Sequence, residues 1–115
     1  MVKDGLVFDS NKEYQRWMEL RLMERAGEIS GLSRQVRYEL IPAQREPDII
    51  GPKGGRRPGK LIERSVDYVA DFVYTKDGTV VVEDTKGYKG GQAYALFAIK
   101  RKLMLQVWGI KVREV

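Results

Sequence analysis

Lys76-Asp77-Gly78 stands between two apolar runs and constrains the fold more than any other stretch of the chain. A glycine there suits positive φ, so the segment reads as a tight turn joining antiparallel strands. The upstream strand, straight or bent, is expected over about residues 61–74 and the downstream one over 79–85. The run Val80-Val81-Val82 predicts a strand buried on both faces. Both strands carry charge where core is expected. Asp71 lies inside Ala70-Asp71-Phe72-Val73-Tyr74, and Glu83-Asp84-Thr85-Lys86 closes the second strand. Alternation puts Val82, Asp84 and Lys86 on one face, with Val81, Glu83 and Thr85 on the other. Asp71 shares the Asp84 face only if the connecting loop has even length or a bulge intervenes; a three-residue loop in perfect register points it at Glu83.

The other elements follow from periodicity. Ser10 and Glu13 match the capping box of a helix over residues 11–26, with Tyr14, Trp17, Met18, Leu22 and Met23 as its apolar positions and Gly27 as its stop. Residues 33–41 alternate as a strand, with Val36, Tyr38 and Leu40 on one face and Gln35, Arg37 and Glu39 on the other. The stretch from Pro52 to Lys60 holds only proline, glycine and basic residues, and reads as a flexible loop or hairpin tip within about residues 45–60. A second helix is expected over 92–105 and a final strand over 108–115. The crossover through that helix should make the last strand parallel to the third. The fold class is therefore α/β: one domain over residues 1–115, with a mixed central sheet, flanking helices and a protruding basic hairpin or loop.

Composition narrows the chemistry. The chain has no cysteine and no histidine. Thiolate sites, disulfides, cysteine nucleophiles and the commonest general base are excluded. Hydrolytic chemistry is left to carboxylates, lysine, hydroxyls or a metal held by oxygen, which favours magnesium or manganese. Two carboxylates a few ångströms apart repel, and a cation between them keeps both ionised. A divalent ion at Asp71 and Asp84 would bind a phosphate oxygen and acidify a bound water, and Lys86 would orient that water or offset charge growing on the phosphate. The alternative is structural: Asp71 paired with an arginine and Asp84 with Lys86 at a solvated strand end.

The net charge is +5. Residues 85–113 hold seven basic side chains and no acidic one, a one-sided field suited to a polyanion such as DNA. No apolar run is long enough to span a bilayer, and no apolar segment follows Met1-Val2-Lys3-Asp4 as a signal peptide would require. The glycine-rich loop lacks the spacing of a nucleotide-triphosphate site.

An acidic residue on the first helix, an in-strand Asp and a (D/E)-x-K at the end of the next strand resemble the PD-(D/E)XK, restriction-endonuclease-like nuclease superfamily. Further segments resemble a family of small phage-encoded proteins similar to Holliday-junction resolvases and long described only as a domain of unknown function. They are Phe8-Asp9-Ser10-Asn11-Lys12-Glu13, Ala26-Gly27-Glu28-Ile29-Ser30, Gln35, Tyr68-Val69-Ala70-Asp71-Phe72, Val82-Glu83-Asp84-Thr85-Lys86-Gly87 and Lys100-Arg101-Lys102-Leu103. Two departures are visible: Ala70 stands where proline often precedes the Asp, and Asp84 where glutamate is usual.

The resemblance implies a magnesium- or manganese-dependent endonuclease for branched DNA, acting as a homodimer in the cytoplasm of a bacterial host. It makes Asp71, Asp84 and Glu13 metal ligands and Lys86 the catalytic lysine. Glu13 also has its capping role, and Glu19 is the alternative carboxylate. Gln35 would either point at the site or pair across the sheet. Lys53, Arg56, Arg57 and Lys60 on the basic loop, with Lys89, Lys100 and Lys102, are the expected DNA contacts, and Lys100 is the one expected to reach the cleft. The competing function is a non-catalytic phage DNA-binding or replication accessory protein on the same fold.

Overall fold

A computed structural model describes residues 1–87 and 89–115. Helix α1 (Asn11–Arg25) comes first among the larger elements, followed by the long strands β1 (Ser30–Ile41) and β2 (Val66–Lys76). Strand β3 (Thr79–Asp84), helix α2 (Gly91–Leu103) and the short strand β4 (Arg113–Glu114) complete the domain. The sheet order is β4-β3-β2-β1. β1 and β3 run antiparallel to β2, and β4 runs parallel to β3, as the crossover through α2 requires. The molecule is a mixed α/β domain with two helices against one mixed sheet. No helix among the described residues is long and apolar enough to cross a membrane.

Each helix builds its own core. Leu20, Ile29, Phe72 and Tyr74 form the one under α1, with Trp17, Met23, Leu32 and Val81 packed against it. Leu40, Tyr68, Ala70, Val82, Phe97, Met104 and Val112 form the one under α2. β2 serves both, and the change falls at Asp71. β3 pairs with β2 only from Phe72 onward. Before that point β1 and β2 continue as a two-stranded ribbon, which coils more than a wider sheet. Tyr68 and Ala70, in that stretch of β2, belong to the α2 core.

The turn is the two-residue loop Asp77-Gly78, with φ of 50° and 77° and Lys76 paired to Thr79. Both residues in the left-handed region is the conformation that matches strand twist, and Asp-Gly tolerates it. The loop length is even.

Several expectations are corrected. The run Val80-Val81-Val82 is not buried on both faces: Val82 is buried, but Val80, near the turn and beyond the helices, is 50% exposed. On α1 the buried apolar position is Leu20, whereas Leu22 is 61% exposed. The strand expected over 61–74 is broken into Leu61–Glu63 and β2. The final strand shrinks to Arg113–Glu114. Helix α2 continues instead into a π-helical turn, Met104–Trp108, which ends at Gly109 with φ 67°. Burial of Met104 and a bond from Trp108 Nε1 to the Glu39 carbonyl (2.8 Å) hold that turn against β1.

The basic segment is a paired hairpin. Gln44–Arg45 pairs with Leu61–Glu63, and Ile49–Ile50 with Arg56–Arg57. Almost all of residues 41–58 is exposed. Gly59 is the exception in the ladder, because a Cβ there would lie 2.1 Å from the Glu46 carbonyl oxygen.

Candidate metal centre

The register of the β2–β3 pair places the carboxylates. Phe72 pairs with Glu83, so the next position sets Asp71 opposite Asp84. The even loop therefore meets the condition for a shared site. Lys86, two residues on, brings its Nζ to 2.8 Å from Asp84 Oδ1. Helix α1 supplies Glu13, only 2% exposed although charged. The four residues line one open cleft of about 420 Å³ together with Asp9, Ser10, Gln35, Val69, Thr85 and Gly87.

The first turn of α1 is built to hold Glu13 there. Ser10 Oγ accepts the Glu13 amide at 3.1 Å, and Glu13 Oε2 accepts the Asp9 amide at 3.1 Å. This is a capping box displaced by one residue, since Glu13 reaches past the cap to Asp9. The other oxygen, Oε1, lies 3.5 Å from Arg34 Nη2 and 3.3 Å from Gln35 Nε2. Structural and site roles are thus divided between the two oxygens of one carboxylate.

Gln35 joins the centre from β1. Its Nε2 stands 3.3 Å from Glu13 Oε1 and 3.4 Å from Asp71 Oδ1, so one amide nitrogen spans two carboxylates. Its φ is 51° in the middle of a strand, a conformation a non-glycine residue adopts at a cost.

Asp71 and Asp84 have different surroundings. Asp71 Oδ2 accepts the Thr85 amide at 2.8 Å. Burial pushes the Asp71 carboxyl up to about 6; the Thr85 amide and Gln35 oppose this, and the charges of Asp84 and Glu13 add to it. Asp84 is 5% exposed and has both oxygens engaged, Oδ2 by the Tyr68 hydroxyl at 2.7 Å and Oδ1 by Lys86. Burial, with the bond to Asp84, raises the Tyr68 hydroxyl well above its ordinary range, so it stays a proton donor to that carboxylate. Lys86 also lies 3.9 Å from the centroid of Phe97 on α2. Lys12 of α1 donates to the Lys86 carbonyl at 2.5 Å, fixing the main chain beneath it.

Glu83 is turned away from this cleft. It is fully buried against α1, where Arg16 donates to both its oxygens at 2.8 and 2.7 Å and Tyr74 donates a further bond. Burial alone would raise its carboxyl, but Arg16 and Tyr74 hold it below the usual range. Glu19 is also outside the cleft, exposed and paired with Arg16 at 2.8 Å.

The donor set suits a hard divalent ion. Among the described residues, Asp9, Glu13 and Asp71 each offer a carboxylate oxygen, and these atoms lie within 4.8 Å of one another. Trans ligands of an octahedral magnesium are about 4.2 Å apart, so this set is close to what one ion requires. The Gln35 amide nitrogen stands between two of these carboxylates as a neutral hydrogen-bond donor. Asp84 is the opposite wall of the same space.

The expected DNA contacts are distributed. Lys100 borders a cavity adjoining the cleft. Lys53, Arg56 and Arg57 surround the hairpin tip, and Lys60 lies in the same hairpin. Lys89 is exposed and 4.0 Å from Glu114, and Lys102 borders another cavity beside Lys111. Sequence reasoning passed over Asp9, Tyr68 and Phe97. For Asp9 the signal was there, an acidic residue immediately before a capping serine. Tyr68 and Phe97 look like ordinary core aromatics.

A family model described as "Protein of unknown function (DUF1064)" matches residues 1–113. The chain belongs to the DUF1064 family. No curated protein and no solved structure matches it. The match covers every side chain of the cleft and this DUF1064 domain up to Arg113, the first residue of β4.

Proposed function

We propose that this DUF1064 protein is a divalent-metal-dependent DNA endonuclease of the PD-(D/E)XK type, hydrolysing phosphodiester bonds with branched DNA as its substrate. The observation that carries the reading is the convergence of Asp71, Asp84, Glu13 and Lys86 in one cleft from three separate parts of the chain. A buried glutamate, two aspartates facing each other just beyond the β2–β3 ladder and a lysine bonded to one of them are costly to assemble unless they serve one another.

Asp71, Glu13 and Asp9 would hold magnesium or manganese, with Asp84 completing the site once Lys86 releases it. The bound ion would supply Lewis acidity and a water of lowered pKa. Lys86 is poised to exchange its bond to Asp84 for one to the attacking water or to a phosphate oxygen. Tyr68 keeps the Asp84 carboxylate oriented during that exchange. Thr85 fixes Asp71 through its amide, so the acid cannot rotate out of the cleft. Incision of both strands of a junction needs two such sites, so a homodimer acting in the bacterial cytoplasm belongs to the same proposal.

The test is cleavage of a panel of four-way-junction, flapped, single-stranded and blunt duplex DNA with magnesium or manganese. Wild type should cut at least one branched substrate only with metal. Asp84→Asn and Lys86→Ala should lower the rate at least about 100-fold and leave DNA binding in place, the size of loss typical for catalytic groups. Binding with no metal-stimulated cleavage of any substrate would overturn the proposal and leave a DNA-binding accessory protein.

A further inference from the structure

The metal cleft continues past Asp84 into a second, shallower cavity of about 260 Å³, and Val69, Asp84 and Lys86 line both. The remaining walls are Tyr68 and, from α2, Ala93, Leu96, Phe97 and Lys100. Its character differs sharply from that of its neighbour. The metal cleft is polar throughout except at Val69, whereas this cavity presents aliphatic surface with lysines at its edges. Val69 is 40% exposed and Leu96 55% exposed, so neither is explained by core packing. Phe97 is 6% exposed and has Lys86 against its ring, so the free apolar surface comes from Val69 and Leu96.

A phosphate backbone gains nothing from two aliphatic side chains. A nucleobase does, but only when its faces are not already covered by stacked neighbours. The position of the cavity adds a second constraint, since whatever occupies it lies beside whatever occupies the metal cleft. A nucleotide offers that combination of a flat apolar group and an attached anion, and Lys100 supplies charge complementary to the anion.

We propose that this cavity is a shelf for one unstacked nucleobase of the DNA strand whose phosphate lies in the metal cleft, with Lys100 against the adjacent phosphate. The proposal rests on the nuclease reading of the adjoining cleft and names the substrate class: DNA with an unpaired nucleotide next to the cleaved bond. A continuous duplex cannot fill the shelf without first losing a base from its stack.

Binding in calcium, without turnover, tests it. The probes are a short single strand containing 2-aminopurine and a blunt duplex of the same sequence. Base-stacking contributions of about 1–3 kcal/mol correspond to roughly 5- to 150-fold in affinity. Leu96→Ala should weaken the single strand within that range and change duplex affinity by less than about twofold. Leu96→Trp should tighten it; the position is exposed, and melting curves of both variants check that they fold. Unchanged single-strand affinity in both Leu96 variants, or equal losses on both probes, overturns the shelf. A protein that binds the single strand through the shelf yet cuts nothing with magnesium or manganese keeps the shelf and loses the nuclease. Metal-dependent cleavage indifferent to these variants and to unpaired bases keeps the nuclease and loses the shelf.

Discussion

Asp71 is where the chemistry of the site is written into the stability of the fold. Its carboxyl is raised from 3.8 to about 6, so the folded chain binds that proton more tightly than the unfolded chain does. In the metal-free protein this favours folding at low pH, and the advantage is lost as pH rises from about 4 through 6. Asp71→Asn removes the penalty of the ionised form and keeps an acceptor for the Thr85 amide. It should therefore stabilise the metal-free protein at pH 7.5 by roughly 1–2 kcal/mol, after allowance for partial solvent access, and have no such effect at pH 4. Thermal melts in a chelator measure this, and a destabilised variant at pH 7.5 would contradict it. The same substitution should abolish metal-stimulated cleavage. Asp84 and Lys86 were legible as a same-face pair because strand alternation is strict; Asp71 beside them was left open, because its face turned on a loop length that only the pairing of Lys76 with Thr79 made even. Gln35 was visible only as one of two options, because no residue-level pattern announces a left-handed residue in mid-strand. Tyr68 was invisible because strict alternation puts it on the face of Phe72, away from Asp71, whereas it lies in the α2 core bonded to Asp84.

At the scale of elements, α1 is joined to the sheet by a buried ion pair as well as by its apolar face. Glu13, Arg16, Trp17, Leu20 and Met23 follow helical spacing on its sheet-facing side, so two of the five are charged. Breaking a buried pair by removing one partner costs more than the pair contributes, because a charge is left without compensation. Arg16→Met should lower stability by about 3 kcal/mol, and Tyr74→Phe by about 1 kcal/mol through loss of one bond to Glu83. Denaturant titration gives both values; a neutral Arg16→Met would mean that Glu83 takes up a proton at little cost. The helix itself was legible from its cap and its stop, but the choice of Leu20 over Leu22 was not. An apolar face interrupted by Glu13 and Arg16 has too weak a periodicity to be phased without its partners. The last strand was legible in its direction but not its length: of residues 108–115 only Arg113–Glu114 pair with β3, and Trp108 belongs to the π-helical turn packed against β1.

For the whole molecule, the basic charge is spread over two regions, the hairpin of residues 44–63 and the face of α2. Replacing Lys53, Arg56 and Arg57 together by alanine should weaken DNA binding and lower the slope of log affinity against log salt by roughly 2–3, the value for three lost phosphate contacts. The catalytic rate on saturating substrate should change little, since none of the three touches the metal cleft. Anisotropy titrations in calcium over a range of salt give the slope, and an unchanged slope would remove the hairpin from the binding surface. Fold class, the chain order of the larger elements and the parallel last strand were legible, because connection length and handedness leave few topologies for these elements. Pairing within the basic segment was not, since glycine and arginine carry little strand preference.

The two tryptophans fall on different sides of this division. Trp17 stacks on Phe72 in the core under α1, with centroids 6.2 Å apart, while Trp108 meets Tyr38 edge-on at 5.3 Å and is about half exposed. The chain thus carries one natural optical label for each half of the molecule. Single-tryptophan versions would report separately on the layer that holds Glu13 and on the layer that holds Lys86. Any event that draws those two side chains toward a common ligand can then be timed from both sides, without attaching a dye.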